Sequence, residues 1–265
     1  MALTVLITGG SGFIGQQLTE ALLAKGYTIH LLNRSATSNT NKHVKTFRWD
    51  VYKKQIDPAC IHQVDAIIHL AGEAIANERW THKRKKQLIE SRTQSIRLIY
   101  SLLKADKHHT VKTVVSASAI GYYGSSADKL FTETDKPSNQ FLGKLCLAWE
   151  QTVSEGKSLG IRVVHLRTGL VLARNGGVLS PMIKLTQWNL SSPMGKGDQW
   201  MSWIHIVDAV NMYVFALEHD QLTGTYNMAA PHPVSNETLT TELAQTLKKS
   251  IWLPKVPVFL LKLLL

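Results

Sequence analysis

The sequence predicts an α/β fold of the doubly wound class, a parallel sheet with helices on both faces, joined to a small C-terminal region. Three observations predict it. Over the first two-thirds of the chain, short β-branched runs alternate with longer segments whose apolar residues recur at helical spacing, the pattern of successive βαβ units. A glycine cluster, Gly9 to Gly15, separates the first run from the first helical segment. From Thr168 to Met201 the chain turns rich in Gly, Ser and Pro and loses clean periodicity, which marks the crossing into the C-terminal region.

Taken in order, the strands fall at Thr4–Thr8, Thr28–Leu32, Val44–Arg48, Ala66–Leu70, Thr113–Ser116 and Arg162–Leu166. Between them, Phe13–Lys25, Lys83–Lys104 and Gln140–Ser158 read as helices, with Gly26 and Gly160 as stops. Further on, helices are expected at Ile206–Glu218 and Asn236–Lys248, with a strand at Tyr226–Met228 between them. The first domain is thus 1–168 and the C-terminal lid region 169–265, with 206–228 interleaved into the first. The stretch Val256 to Leu265 is far shorter than the roughly 20 residues of a bilayer span and Lys262 interrupts it, so it reads as a packing helix cut short.

With 265 residues and 44% hydrophobic composition, the chain can bury a large core. Its two cysteines, Cys60 and Cys146, lie far apart and lack ligand spacing, which argues against a disulfide framework or a zinc site and for a reducing, cytoplasmic setting. The apolar stretch Leu3 to Ile7 runs straight into the glycine cluster and reads as a strand, not a signal. A net charge of +11 implies attraction to anionic partners. The densest run, His82 to Lys86, falls where a helix begins and has no aromatic stacking pattern beside it, so it reads as a solvated helix face. Nucleic-acid binding therefore ranks last, and no membrane association is expected.

The glycine turn, Thr8-Gly9-Gly10-Ser11-Gly12-Phe13-Ile14-Gly15, stands between a strand and an amphipathic helix. Gly9, Gly12 and Gly15 permit a tight turn, a close backbone approach to a pyrophosphate and tight packing of helix on strand. The free N–H groups of the helix N-terminus then face the phosphates. This is the fingerprint of a Rossmann-type dinucleotide site. At the end of the second strand, where a carboxylate would select NAD, the chain reads Leu32-Asn33-Arg34-Ser35. Arg34 can pair with a phosphate through its planar fork, so NADP(H) is favoured.

Several further segments carry a resemblance over essentially the whole chain. They are His69 to Glu73, Glu90-Ser91-Arg92, Ser116 to Gly124, Phe141-Leu142 with Cys146 and Trp149-Glu150, Leu166 to Gly169, and Trp203 to Asp208. With the glycine turn, they make the chain resemble the extended short-chain dehydrogenase/reductases, and among them the epimerase-family proteins of the YfcH type, known in animals as family 39U. The resemblance implies that Asn33 and Arg34 meet the adenosine ribose and its phosphate, and that Trp49 and Asp50 flank the adenine. Leu70, Ala71, Gly72 and Glu73, with Arg92, would line the path towards the nicotinamide. For Trp49 and Leu70, core packing is the competing reading.

The superfamily's usual chemistry needs a tyrosine acid/base, a lysine four residues on, and a serine that orients the substrate oxygen. Ser118 matches the serine, but Phe141 and Leu145 occupy the places of the pair, and neither moves a proton. Lys144, on an adjoining stripe of the same helix, is a candidate for the cofactor ribose. Tyr122, Tyr123 and, if buried, Glu73 are the candidate proton-transfer groups. Cys146 reads as a small buried apolar residue. His205 and Asp208 read as helix capping in preference to a catalytic pair with Ser118.

Two functions follow. One is an NADP(H)-dependent oxidoreductase or nucleotide-sugar-type epimerase, whose cationic surface and Arg167 attract a phosphorylated or nucleotide-linked sugar. It requires a polar cavity holding Ser118 and a tyrosine or carboxylate. The other is a protein that keeps the cofactor pocket without the chemistry and acts as an NADP(H)-responsive binding or scaffold protein, with a filled or apolar cavity. A homodimer through exposed helix faces is expected in either case.

Overall fold

The computed structural model describes residues 3–35, 41–76 and 78–257. The first half runs β1 (Thr4–Thr8), α1 (Phe13–Ala24), β2 (Thr28–Asn33), β3 (Val44–Asp50), a short β4 (Gln55–Ile56), β5 (Ala66–His69), α2 (His82–Ala105) and β6 (Thr113–Ala119). Then follow α3 (Phe141–Ser154), β7 (Arg162–Thr168), β8 (Leu170–Ala173), β9 (Gly176–Gly177), α4 (Leu179–Gln187), β10 (Trp200–Met201) and β11 (Trp203–His205). Last come α5 (Ile206–Glu218), β12 (Gly224–Met228), β13 (Val234–Ser235) and α6 (Asn236–Thr246).

The large sheet has the order β12-β7-β6-β5-β1-β2-β3-β4. Every pairing in it is parallel except that of β4 on β3. The chain winds outwards from β1 through β2 to β3, then crosses to β5 on the other side of β1 and winds outwards again. The winding reverses between β1 and β5, and there the carboxyl ends of the strands open a crevice. Because both faces are covered, the apolar residues of the central strands alternate between two cores. Leu6, Ile67, Val114 and Val163 face a core built with Leu88, Ile96, Tyr100 and Trp149 from α2 and α3. Val5, Ile7, Ile68, Val115 and Val164 face a core built with Leu18, Leu22, Tyr213 and Val214 from α1 and α5.

Element ends follow local chemistry. Gly26, at φ 86°, and Gly160, at φ 74°, stop α1 and the α3 segment as expected. The helix expected over Gln140–Ser158 ends as α-helix at Ser154 and tightens into a 3-10 turn over Glu155–Leu159. The Tyr100 hydroxyl donates to the Val153 carbonyl at 2.6 Å, and its ring packs where a side chain at Gly156 would stand. Thr81 caps α2 by accepting from the Arg84 amide, and a ring nitrogen of His205 accepts from the Val207 amide at the start of α5. The basic run is solvated at His82, Lys83 and Lys86, whereas Arg84 turns inward to Glu73 and the Ala74 carbonyl.

The C-terminal region holds more structure than its periodicity suggested: a three-stranded sheet β11-β8-β9, a two-stranded sheet β10-β13, and α4. Strands of two to four residues are too short to show a period. α5 and β12 return to the large sheet, α5 packing beside α1 and β12 pairing with β7. Val256 bridges to Met194 in extended form, and most of the expected terminal helix lies outside the described residues.

Two histidines in the sheet set a pH dependence. Burial pushes the His69 and His165 imidazoles down to about 4 each. Both are neutral in the folded chain, while the unfolded chain takes up protons near their ordinary pKa of about 6.5. Between those values the unfolded state binds more protons, so stability present above about pH 6.5 is lost as pH falls towards 4. Urea unfolding should show a lower midpoint at about pH 4.5 than at about pH 7.5, and His165→Gln should flatten the difference. Equal midpoints in the native chain would show that neither ring is held neutral.

Candidate active site

The crevice begins at the glycine turn. Gly9 has φ 70°, and a Cβ there would stand 2.9 Å from the Leu70 carbonyl carbon. A Cβ on Gly15 would stand 2.3 Å from the Gly9 carbonyl oxygen, so the first turn of α1 seats directly on the end of β1. The Gly12 amide donates to the Gly9 carbonyl at 3.0 Å and closes the turn. No side chain caps α1 and its first turn holds no acidic residue, which leaves an electropositive end facing the crevice. A pyrophosphate fits such a cradle. Phe13 and Ile14 are half-buried against the α1/α5 core, and the Phe13 ring packs where a side chain at Gly176 would stand. The β8–β9 hairpin therefore closes over the turn.

Thr8 holds the two lips of the crevice together. Its hydroxyl accepts from the Leu70 and Ala71 amides, each at 3.1 Å, and so donates to His69 Nδ1 at 2.9 Å. That bond agrees with a neutral His69 ring. Leu70 is half-buried, Ala71 is buried and Gly72 is exposed at this lip. Behind it, the Arg92 guanidinium is buried and donates to the carbonyls of Leu88 and Glu73, each at 2.9 Å, so it braces the lip from the protein side. Glu73 pairs with Arg84 at 3.3 Å. On the other flank, Asn33 is half-buried at the end of β2 and Arg34 is exposed just beyond it. Trp49 faces the core at 5% exposure, and the Asp50 carboxylate accepts from the Lys53 amide in the turn to β4.

Further along the same edge of the sheet, the ends of β6, β7 and β12 carry a buried polar chain. Ser118 Oγ donates to Glu150 at 2.6 Å. Arg167 grips both Glu150 oxygens, each at 2.9 Å, and donates to the Tyr123 hydroxyl at 2.7 Å. Tyr123 in turn donates to Asn227 Oδ1 at 2.6 Å. The guanidinium also lies 3.5 Å from the Tyr122 ring centroid. Burial pulls the Arg167 pKa down, but the bonds to Glu150 and Tyr123 outweigh it and the net displacement is upward. Burial pushes the Tyr123 hydroxyl up, with Arg167 and Asn227 opposing.

This arrangement corrects two expectations. Ser118 does not open onto a cavity; it is 3% exposed with its hydroxyl committed to Glu150. Arg167 is equally buried and paired, so it is not free to attract a substrate phosphate. Leu145 packs in the core, and Phe141 packs against Trp80, with ring centroids 5.3 Å apart. Lys144 is exposed on the first turn of α3, and Cys146 is buried as expected. Of the two tyrosines, Tyr123 lines a cleft of about 510 Å³ with Phe131, Trp200, Asn227 and Pro231, whereas Tyr122 packs inside. Glu150 and Asn227 are the residues whose roles the sequence did not disclose. For Glu150 the signal was available: a carboxylate in an otherwise apolar helix stripe, matched by a buried arginine in β7.

A doubly wound parallel sheet with a glycine cradle at its switch point defines a dinucleotide-binding protein of the extended short-chain dehydrogenase/reductase class. The chain belongs to the NAD dependent epimerase/dehydratase family, which it matches over residues 5–229. It is 36% identical over 96% of its length to an epimerase family protein of Mycobacterium bovis, covering 83% of that protein. It is 35% identical over 99% of its length to the chloroplastic SDR39U1 homolog of Arabidopsis thaliana, covering 76% of it. The crystal structure of human epimerase family protein SDR39U1 (isoform 2) with NADPH matches at a TM-score of 0.83 and 26% identity, over 99% of this chain and 85% of that one. Among the described residues, no helix is long and apolar enough to cross a membrane.

Proposed function

We propose that this chain is an NADP(H)-dependent oxidoreductase or epimerase of the cytoplasm that acts on a small molecule in the Tyr123 cleft without the usual tyrosine and lysine. One observation carries the reading: the exposed Arg34, the glycine cradle and Tyr123 follow one another along the same edge of one sheet. The cradle and the β6 end are two strand spacings apart, about 10 Å, a span that a dinucleotide bridges. When bound, the nicotinamide supplies the hydride chemistry. The amides at Phe13 to Gly15 would hold the pyrophosphate, Asn33 and Arg34 the ribose and its phosphate, and Lys144 the nicotinamide ribose. Tyr123 moves the proton at the substrate oxygen by exchanging its bond to Asn227 for one to the substrate, while Arg167 opposes the upward push of burial on its hydroxyl. Ser118 acts through Glu150 as a positioning residue.

A second reading, a protein that binds NADP(H) and has lost the chemistry, is favoured by the committed Ser118 hydroxyl and the core leucine at 145. Parallel titrations with NADPH and NADH test the cofactor assignment common to both. NADPH should bind more tightly, and Arg34→Ala should weaken it about 10- to 100-fold while leaving NADH unchanged, the range expected for losing a charge-assisted contact. Equal affinities in the native chain would reject NADP selectivity. No binding of either nucleotide would reject both readings.

A further inference from the structure

The chemistry of the cleft wall points to a substrate class, on the reading above that this cleft holds the substrate. Its aromatic wall is large: Phe131 stacks on Tyr123 with centroids 5.2 Å apart and an angle of 14° between the rings. Trp200 also lines the cleft, 56% exposed, its indole N–H anchored on the Ala127 carbonyl at 2.9 Å. Pro231 and Pro233 add further apolar surface. Polar groups stand among these rings: the Tyr123 hydroxyl, Asn227, and the hydroxyls of Ser125, Ser126 and Ser202.

Charge complementarity separates the possible ligands. Two charged residues line the cleft, Asp128 and Lys129. Lys129 is paired with Asp135 and lies 5.2 Å from the Phe131 centroid, so its charge is already matched. Asp128 is exposed and would repel an anion. Arg167, just behind the wall, is neutralised by Glu150. A diphosphate carries two negative charges and needs unpaired cations or converging N–H groups. Among the described residues that line the cleft, Lys129 is the one cation.

We infer that the cleft takes an uncharged, planar aromatic molecule bearing a carbonyl or hydroxyl group, not a diphosphate-linked sugar. The ring system lies against Trp200 and the Tyr123–Phe131 pair, and the oxygen meets Tyr123. This departs from the substrate expected on net charge alone.

Equilibrium dialysis of the whole chain against 2-acetonaphthone and UDP-glucose, with NADPH affinity measured separately, tests it. The ketone should bind saturably and at least tenfold more tightly than UDP-glucose. Trp200→Ala should weaken the ketone at least tenfold and leave NADPH unchanged. Asp128→Lys, at an exposed position, should raise UDP-glucose affinity several-fold by adding the missing cation. UDP-glucose binding as tightly as the ketone, no saturable ketone binding, or a Trp200→Ala protein with native ketone affinity would each overturn the inference. If NADPH still binds in those cases, the cofactor reading survives; ketone binding without NADPH binding would sink that reading instead.

Discussion

Glu150→Ala should destabilise the protein by about 3–5 kcal/mol, the cost of removing one partner from a buried ion pair. The Arg167 side chain is 3% exposed and the Glu150 side chain 10%, so water cannot replace the lost carboxylate. The substitution strands a guanidinium between Tyr122 and Tyr123 and frees the Ser118 hydroxyl. Urea unfolding measures the loss. Because the penalty is an uncompensated charge, Glu150→Leu with Arg167→Met should recover most of it, while removing the support of the Tyr123 hydroxyl. A single-variant loss below about 1 kcal/mol would mean the pair is hydrated in solution, as surface pairs are.

Gly15→Val should reduce NADPH affinity by at least about 100-fold, the equivalent of two lost charge-assisted bonds to phosphate. Even its Cβ would meet the Gly9 carbonyl oxygen at 2.3 Å and Gly10 Cα at 2.7 Å, both backbone atoms that cannot rotate aside. Helix α1 must then lift from β1 and carry its N–H groups away from the crevice, at a stability cost of about 1–3 kcal/mol. Gly26→Ala provides the contrast. Nothing lies within 4 Å of its Cβ, but φ is 86°, so it should lose about 1 kcal/mol without touching nucleotide affinity. If Gly15→Val binds NADPH normally in titration, the cradle is not where the phosphates sit.

Much of the fold was legible because each element announces itself locally. Residues 4–8, 28–33, 66–69 and 162–168 are buried on both faces and therefore read as short runs rich in Val, Ile and Leu. Gly26 and Gly160 stop helices because only a residue without a side chain adopts their backbone at no cost. The hairpin and short sheets of 170–205 were not legible, since strands of two to four residues show no period and their partners are distant in sequence. β10, for example, pairs with β13 more than thirty residues away.

The sequence by itself determined the sheet, the glycine cradle, the absence of a carboxylate at Asn33-Arg34 and the absence of the usual tyrosine and lysine, because each depends on residue identity at a fixed position relative to a strand or helix. Tertiary structure alone decided which polar residues face the cleft. Ser118 and Arg167 look like site residues in the chain, yet hydrogen bonding and Coulomb attraction in a dry interior couple both to Glu150, so they turn inward. Tyr122 and Tyr123 are neighbours in sequence and both are buried in one core, yet with Arg167 packed over the Tyr122 ring and against the Tyr123 hydroxyl, the second alone also lines the cleft. Such choices depend on partners brought together from β6, α3, β7 and β12, whose proximity no local pattern encodes.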